Sequence, residues 1–135
     1  MTQTYQLKEV DAIVQKIIAF SKHNIFLFKG SMGVGKTTLI NSFCKHLEVI
    51  DTVSSPTFSL VNEYKTSSEE SIFHFDCYRL ESEEEAFDFG AEEYIDSGCI
   101  CLIEWPDKIQ SLLPDQVHCI ELEYLNQNTR KINFI

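Results

Sequence analysis

At 135 residues the chain is expected to form one domain, residues 1–135, large enough for a real core. Hydrophobic residues make up 44% and charged residues 24%. No apolar run approaches the ~18 residues of a membrane span, and MTQTYQLKEV lacks the pattern of a signal peptide, so a cytoplasmic protein without membrane contact is expected. The formal charge is −10, and eight of the 21 acids fall between Glu81 and Asp96, a surface that repels phosphate backbones and excludes direct, unaided binding of nucleic acid.

In chain order, Val10, Ile13, Val14, Ile17 and Ile18 recur at spacings of three and four, which predicts a helix from about Lys8 to Phe20. Asn24 closes the turn into Ile25-Phe-Leu-Phe28, an apolar run that fits a strand buried on both faces. This strand runs into Gly30-Ser31-Met32-Gly33-Val34-Gly35-Lys36-Thr37, a complete G-x-x-x-x-G-K-[ST] phosphate loop. Gly30, Gly33 and Gly35 permit the backbone angles that turn successive N–H groups toward phosphate oxygens. The helix that follows, with Leu39, Ile40, Phe43 and Leu47 on one side, adds the positive end of its dipole. Lys36, expected in a solvated loop, reaches β and γ phosphates, and the Thr37 hydroxyl suits Mg²⁺. A nucleoside triphosphate is the ligand this pattern implies.

After a loop-like segment held extended at Ser55 by Pro56, residues Ser59–Lys65 and Ser71–Tyr78 read as strands joined by a polar turn, hence antiparallel. In the acidic segment 81–96, Leu80, Phe87, Ala91 and Tyr94 share a helical face, and Gly90 divides it into two short helices. Phe87 and Phe89 lie about 200° apart by helix geometry, so one face cannot bury both. An exposed aromatic among carboxylates suits docking of a basic protein. Cys99-Ile-Cys-Leu-Ile103 is a second buried strand, followed by a short helix from Asp107 to Leu113 that Pro114 stops. Val117–Tyr124 and Arg130–Ile135 alternate around Asn126-Gln-Asn128 as a second hairpin. The fold class is therefore α/β, a mixed sheet of the P-loop NTPase kind flanked by helices and carrying antiparallel hairpins.

A phosphate loop needs a carboxylate opposite it to hold Mg²⁺ or its water. Glu104 ends the second buried strand, at the sheet end where ligands sit in α/β folds. Asp76 is the second candidate. In Phe73-His74-Phe75-Asp76-Cys77-Tyr78, alternation puts His74 and Asp76 on one face, either as a hydrogen-bonded pair or as a site whose carboxylate orients an attacking water. Trp105, the sole tryptophan, is either a core aromatic or a neighbour of the metal site. Arg79 is either an arginine finger, a partner contact or an ion-pair partner of the acidic run. The five cysteines are odd in number and lack CxxC spacing, so buried reduced thiols are expected.

Four blocks, GSMGVGKTT (30–38), SPTF (55–58), HFDCYRL (74–80) and EEYIDSGCICLIEWPD (92–107), make the chain resemble the TsaE (YjeE-type) ATPase family, which serves bacterial synthesis of threonylcarbamoyladenosine in tRNA. The resemblance covers nearly the whole chain. It implies that Gly33, Gly35, Lys36, Thr37 and Thr38 hold the phosphates of ATP, with Thr37 on Mg²⁺. It also implies that Glu104 is the acidic metal partner and Asp76 the second essential carboxylate. Thr57 would sense the γ phosphate from a switch-like loop. Met32 and Val34 stand where the family usually has Leu and Ala, which leaves the glycines in place. The resemblance further implies TsaD and TsaB as partners, with tRNA bound mainly through them. Two rivals are a small-molecule kinase, weakened by having only Arg79 and Arg130 as arginines, and a nucleotide sensor that does not turn ATP over.

Overall fold

The computed structural model describes residues 1–53 and 60–135. In chain order the elements are β1 (Thr2–Gln6), a 3₁₀ turn (Leu7–Glu9), α1 (Val10–Phe20), β2 (Ile25–Lys29), α2 (Lys36–His46), β3 (Val61–Lys65), β4 (Ser71–Asp76), α3 (Glu83–Asp88), α4 (Ala91–Ile95), β5 (Ile100–Glu104), a 3₁₀ helix (Pro106–Leu112), β6 (His118–Asn126) and β7 (Thr129–Phe134). Thr57, the SPTF block and the expected start of a strand at Ser59 lie outside the described residues.

The strands form one sheet in the order β1-β7-β6-β2-β5-β4-β3. β2 lies between β5 and β6 and is parallel to both, and β4 is parallel to β5. The two expected hairpins, β3–β4 and β6–β7, are antiparallel. β1, absent from the sequence reading, adds antiparallel to β7, with Tyr5 opposite Arg130.

Because side chains alternate along a strand, β2 feeds two cores at once. Phe26 and Phe28 join Ile13, Val14 and Ile17 of α1 and Leu39, Ile40 and Phe43 of α2 on one face. Phe43 meets both phenylalanine rings edge-on, at 5.3 and 5.5 Å. Ile25 and Leu27 join Phe73, Phe75, Cys101 and Ile103 on the other face, covered by Ala86, Ala91, Ile95 and Ile109. Burying a side chain of this size contributes roughly 1.5–3 kcal/mol, so β2 is anchored from both sides before its chain turns into the phosphate loop.

Two expectations need correction. The acidic segment does break at Gly90, which has φ 78°, but Phe87 is 62% exposed. α3 instead buries Ala86, and Leu80, Ala91 and Ile95 complete that face. The short helix expected from Asp107 to Leu113 is present as a 3₁₀ helix, Pro106–Leu112, kinked at Ile109, whose φ of −128° is not helical. The N-terminal helix is preceded by a separate 3₁₀ turn and starts at Val10.

Candidate functional site

The parallel register brings the candidate residues together. Phe28 lies opposite Glu104 and Asp76 opposite Glu104, so the carboxyl ends of β2, β4 and β5 share one edge of the sheet. The loop after β2 turns over that edge. Gly33 (φ 77°) and Gly35 (φ 112°) take left-handed conformations, and Gly35 caps the start of α2. A Cβ on Gly30 would meet Val34 Cγ1 at 2.8 Å and the Leu122 carbonyl at 3.0 Å, so the loop fits against β6 only without a side chain there. Gly35 has no side chain, so the N-cap residue makes no side-chain bond to the first-turn amides of α2.

A cleft of about 350 Å³ forms at this edge, lined by Met32, Gly33, Gly35, Lys36, Thr37, Thr38, Asp76, Tyr78, Glu104 and Trp105. Among the other loop residues, Gly30 supplies a carbonyl to Lys36, Ser31 accepts the Val34 amide at 3.2 Å, and Val34 packs into the core. The expectation of a solvated Lys36 is wrong. Lys36 is the first residue of α2 and is 6% exposed. Its Nζ donates to the Gly30 carbonyl at 2.6 Å and lies 3.6 Å from the centre of the Trp105 ring. Burial pushes the Lys36 ammonium below the ordinary lysine range, and the nearby charges of Glu104 and Asp76 oppose that shift.

Glu104 is also buried, at 5%. Its Oε2 accepts from His74 Nε2 at 2.9 Å, and His74 Nδ1 lies 3.0 Å from the Tyr64 hydroxyl. A carboxylate only accepts, so the Nε2 proton is fixed and the histidine orients the acid from behind. The histidine partner is thus Glu104 on the neighbouring strand and not Asp76. Asp76 sits half-buried at the rim, with Oδ1 accepting the Tyr78 amide at 3.1 Å. Trp105 is half-buried, not a core residue. It adopts φ 55° and ψ 54°, unusual for a bulky residue, just before Pro106, and its ring packs against Tyr78 at 5.0 Å. Arg79 is exposed, does not line the cleft, and makes none of the ion pairs found among the described residues.

The side chains lining the cleft that carry oxygen are those of Thr37, Thr38, Asp76, Tyr78 and Glu104. Among the described residues no group of three or more His, Cys, Asp or Glu is placed to hold a metal alone. Hard oxygen donors in so small a number suit a cation such as Mg²⁺ that keeps water and takes further ligands from a phosphate. Sequence reasoning missed the Tyr64–His74–Glu104 chain, the aromatic cover of Tyr78, and Arg130, whose Nε donates to the Val34 carbonyl at 2.6 Å.

The family model for the threonylcarbamoyl adenosine biosynthesis protein TsaE matches residues 4–132. The tRNA threonylcarbamoyladenosine biosynthesis protein TsaE of Bacillus subtilis is 33% identical over 98% of this chain and 82% of its own length. That of Rickettsia felis is 40% identical over 84% of this chain and 66% of its own length. The crystal structure of Bacillus YdiB superposes with a TM-score of 0.73 at 25% identity, covering 99% of this chain and 84% of that one. With its seven-stranded sheet, phosphate loop and family match together, the chain belongs to the TsaE family of threonylcarbamoyladenosine biosynthesis proteins.

Proposed function

We propose that the cleft binds MgATP and hydrolyses it in the service of threonylcarbamoyladenosine synthesis in tRNA. The observation that carries this reading is the convergence of the left-handed glycine loop, the Lys36 ammonium and two strand-end carboxylates on one cleft. Loop amides and the start of α2 receive the phosphates. Lys36, already stripped of most of its water, exchanges the Gly30 carbonyl for β and γ phosphate oxygens. Thr37 and Glu104 are the residues that would hold Mg²⁺, whose charge neutralises the phosphates when bound. His74 keeps the Glu104 carboxylate oriented toward it. Asp76, less buried and beside the same donors, either completes the metal site or orients the attacking water.

The partners follow from the family: TsaD and TsaB would hold the tRNA, which suits a chain of charge −10. Hydrolysis would then reset that complex between rounds of transfer. A small-molecule kinase fits poorly, because neither arginine lines the cleft: Arg79 is exposed to solvent and Arg130 is committed to backbone carbonyls. A sensor without turnover would need a metal ligand but no carboxylate to orient an attacking water, so Asp76 beside Glu104 and Lys36 argues against it. The deciding experiment measures ATP hydrolysis by the purified protein alone, then with TsaB, TsaD and tRNA. Metal-dependent turnover that rises with the complex is expected. Absence of hydrolysis in every mixture would contradict the proposal.

A further inference from the structure

Of the two arginines, one is drawn into the fold. Arg130 lies on β7 and is 6% exposed. Its guanidinium bonds are to backbone carbonyls: Nε to Val34 at 2.6 Å, and Nη1 to Asn126 at 2.6 Å and Thr129 at 3.1 Å. The Tyr124 ring covers one face, 4.6 Å from Cζ. No ion pair among the described residues involves it. Dipoles solvate this buried cation, but none supplies an opposite charge, and a buried charge without one is costly.

The position of the carbonyl gives the charge a use. Val34 and Gly35 are joined by a trans peptide, so the Gly35 N–H points away from the Val34 oxygen and from Arg130. Gly35 lines the cleft, and a Cβ on it would lie only 3.9 Å from Arg130 Nε. A charge-assisted bond to the carbonyl both fixes this peptide plane and polarises it, strengthening its N–H as a donor. Lysine would not serve equally. The planar fork spans the loop and the β6–β7 turn at once, whereas an ammonium is a point charge.

We infer that Arg130 is a positioning residue for phosphate binding: it holds the Gly35 amide aimed into the cleft, and a bound polyphosphate is the counter-charge that its buried guanidinium lacks. The inference rests on the phosphate-loop reading above. It goes further by tying the loop to a strand at the far end of the sequence.

Two measurements test it. In the unsubstituted protein, NMR follows the Arg130 Nε–H and the Gly35 amide while inorganic triphosphate is added, with the exposed Arg79 Nε–H as control. Both signals should shift with one dissociation constant, and Arg79 should stay still. In Arg130→Lys, calorimetry should give dissociation constants for triphosphate and MgATP raised about tenfold, the size of one lost charge-assisted hydrogen bond, with KM raised in step and kcat nearly kept. Triphosphate binding that leaves the Arg130 signal unmoved would overturn the inference, even if Arg130→Lys failed to fold. Affinity in Arg130→Lys within twofold of the natural protein would overturn it equally. A natural protein that binds no triphosphate would sink the phosphate reading itself, so the two failures are told apart.

Discussion

Glu104 and Asp76 are neighbours across parallel strands, yet their surroundings differ enough to separate their roles. Glu104 is buried and held by His74, whereas Asp76 sits at the rim and is held by a backbone amide. Glu104→Gln keeps an oxygen for His74 but loses the charge, so it should fold normally and lose metal-dependent turnover. Asp76→Asn keeps its acceptor for the Tyr78 amide. If Asp76 orients water, this variant should bind MgATP nearly normally and hydrolyse it ~10²-fold more slowly. Full activity in both variants would mean that the site is wrongly assigned. Trp105 offers a direct readout, because its ring lies against the Lys36 ammonium. Moving Lys36 to a phosphate should change Trp105 emission on addition of MgATP, with red-edge excitation excluding tyrosine. An unchanged spectrum at saturating nucleotide would mean that Lys36 does not leave the ring. At this scale the motif and the strand end made Lys36, Asp76 and Glu104 legible. His74 to Glu104 and Arg130 to Val34 were not, since these partners stand 30 and 96 positions apart and meet only once the sheet forms.

The phosphate loop was the most legible element, because its glycines are required by backbone geometry and not by distant packing. Gly30 is the sharpest case: φ 151° is a region that side-chain-bearing residues rarely adopt, and the Leu122 carbonyl closes the space. Gly30→Ala should destabilise the fold by about 1–3 kcal/mol in urea denaturation and weaken MgATP binding at the same time. A variant of unchanged stability would show that the loop can move off β6 freely. The acidic segment was legible as two helices but not in its faces. Helical periodicity assumed one continuous register, and the left-handed Gly90 resets that register, so Phe87 stays outside while Ala86 and Ala91 turn inward. β1 was missed because it is short and polar, and its strand partner among the described residues, β7, comes from the other end of the chain.

Across the whole molecule, charge and topology divide the labour. Four parallel strands deliver the candidate residues to one edge, while the acidic helices α3 and α4 cover another face with Phe87 and Phe89 exposed. The fold class was readable because β2 and β5 are nearly continuous apolar runs, which in a small chain demand cover on both faces. Strand order was not readable, since it depends on which hairpin docks against β2. If the acidic face receives a basic partner, reversing the exposed Glu84, Glu92 and Glu93 to Lys should weaken association with TsaD–TsaB and reduce its salt dependence, with ATP binding by the isolated protein unchanged. Glu83 and Glu85 are poorer choices, because they accept from Ser111 and the Glu81 amide. Equal affinity of the reversed and natural proteins, measured at two salt concentrations, would leave the run as a solvated face. The central claim, that the edge of the sheet is a triphosphate seat, meets its most direct test in calorimetry of MgATP binding to the natural protein and to Lys36→Ala. Lys36 is buried, but among the described residues its ammonium bonds to the Gly30 carbonyl and lies over Trp105, so the variant should retain a cooperative thermal transition and lose at least tenfold in affinity. Lys36→Ala that folds and binds MgATP as tightly as the natural chain would contradict the account.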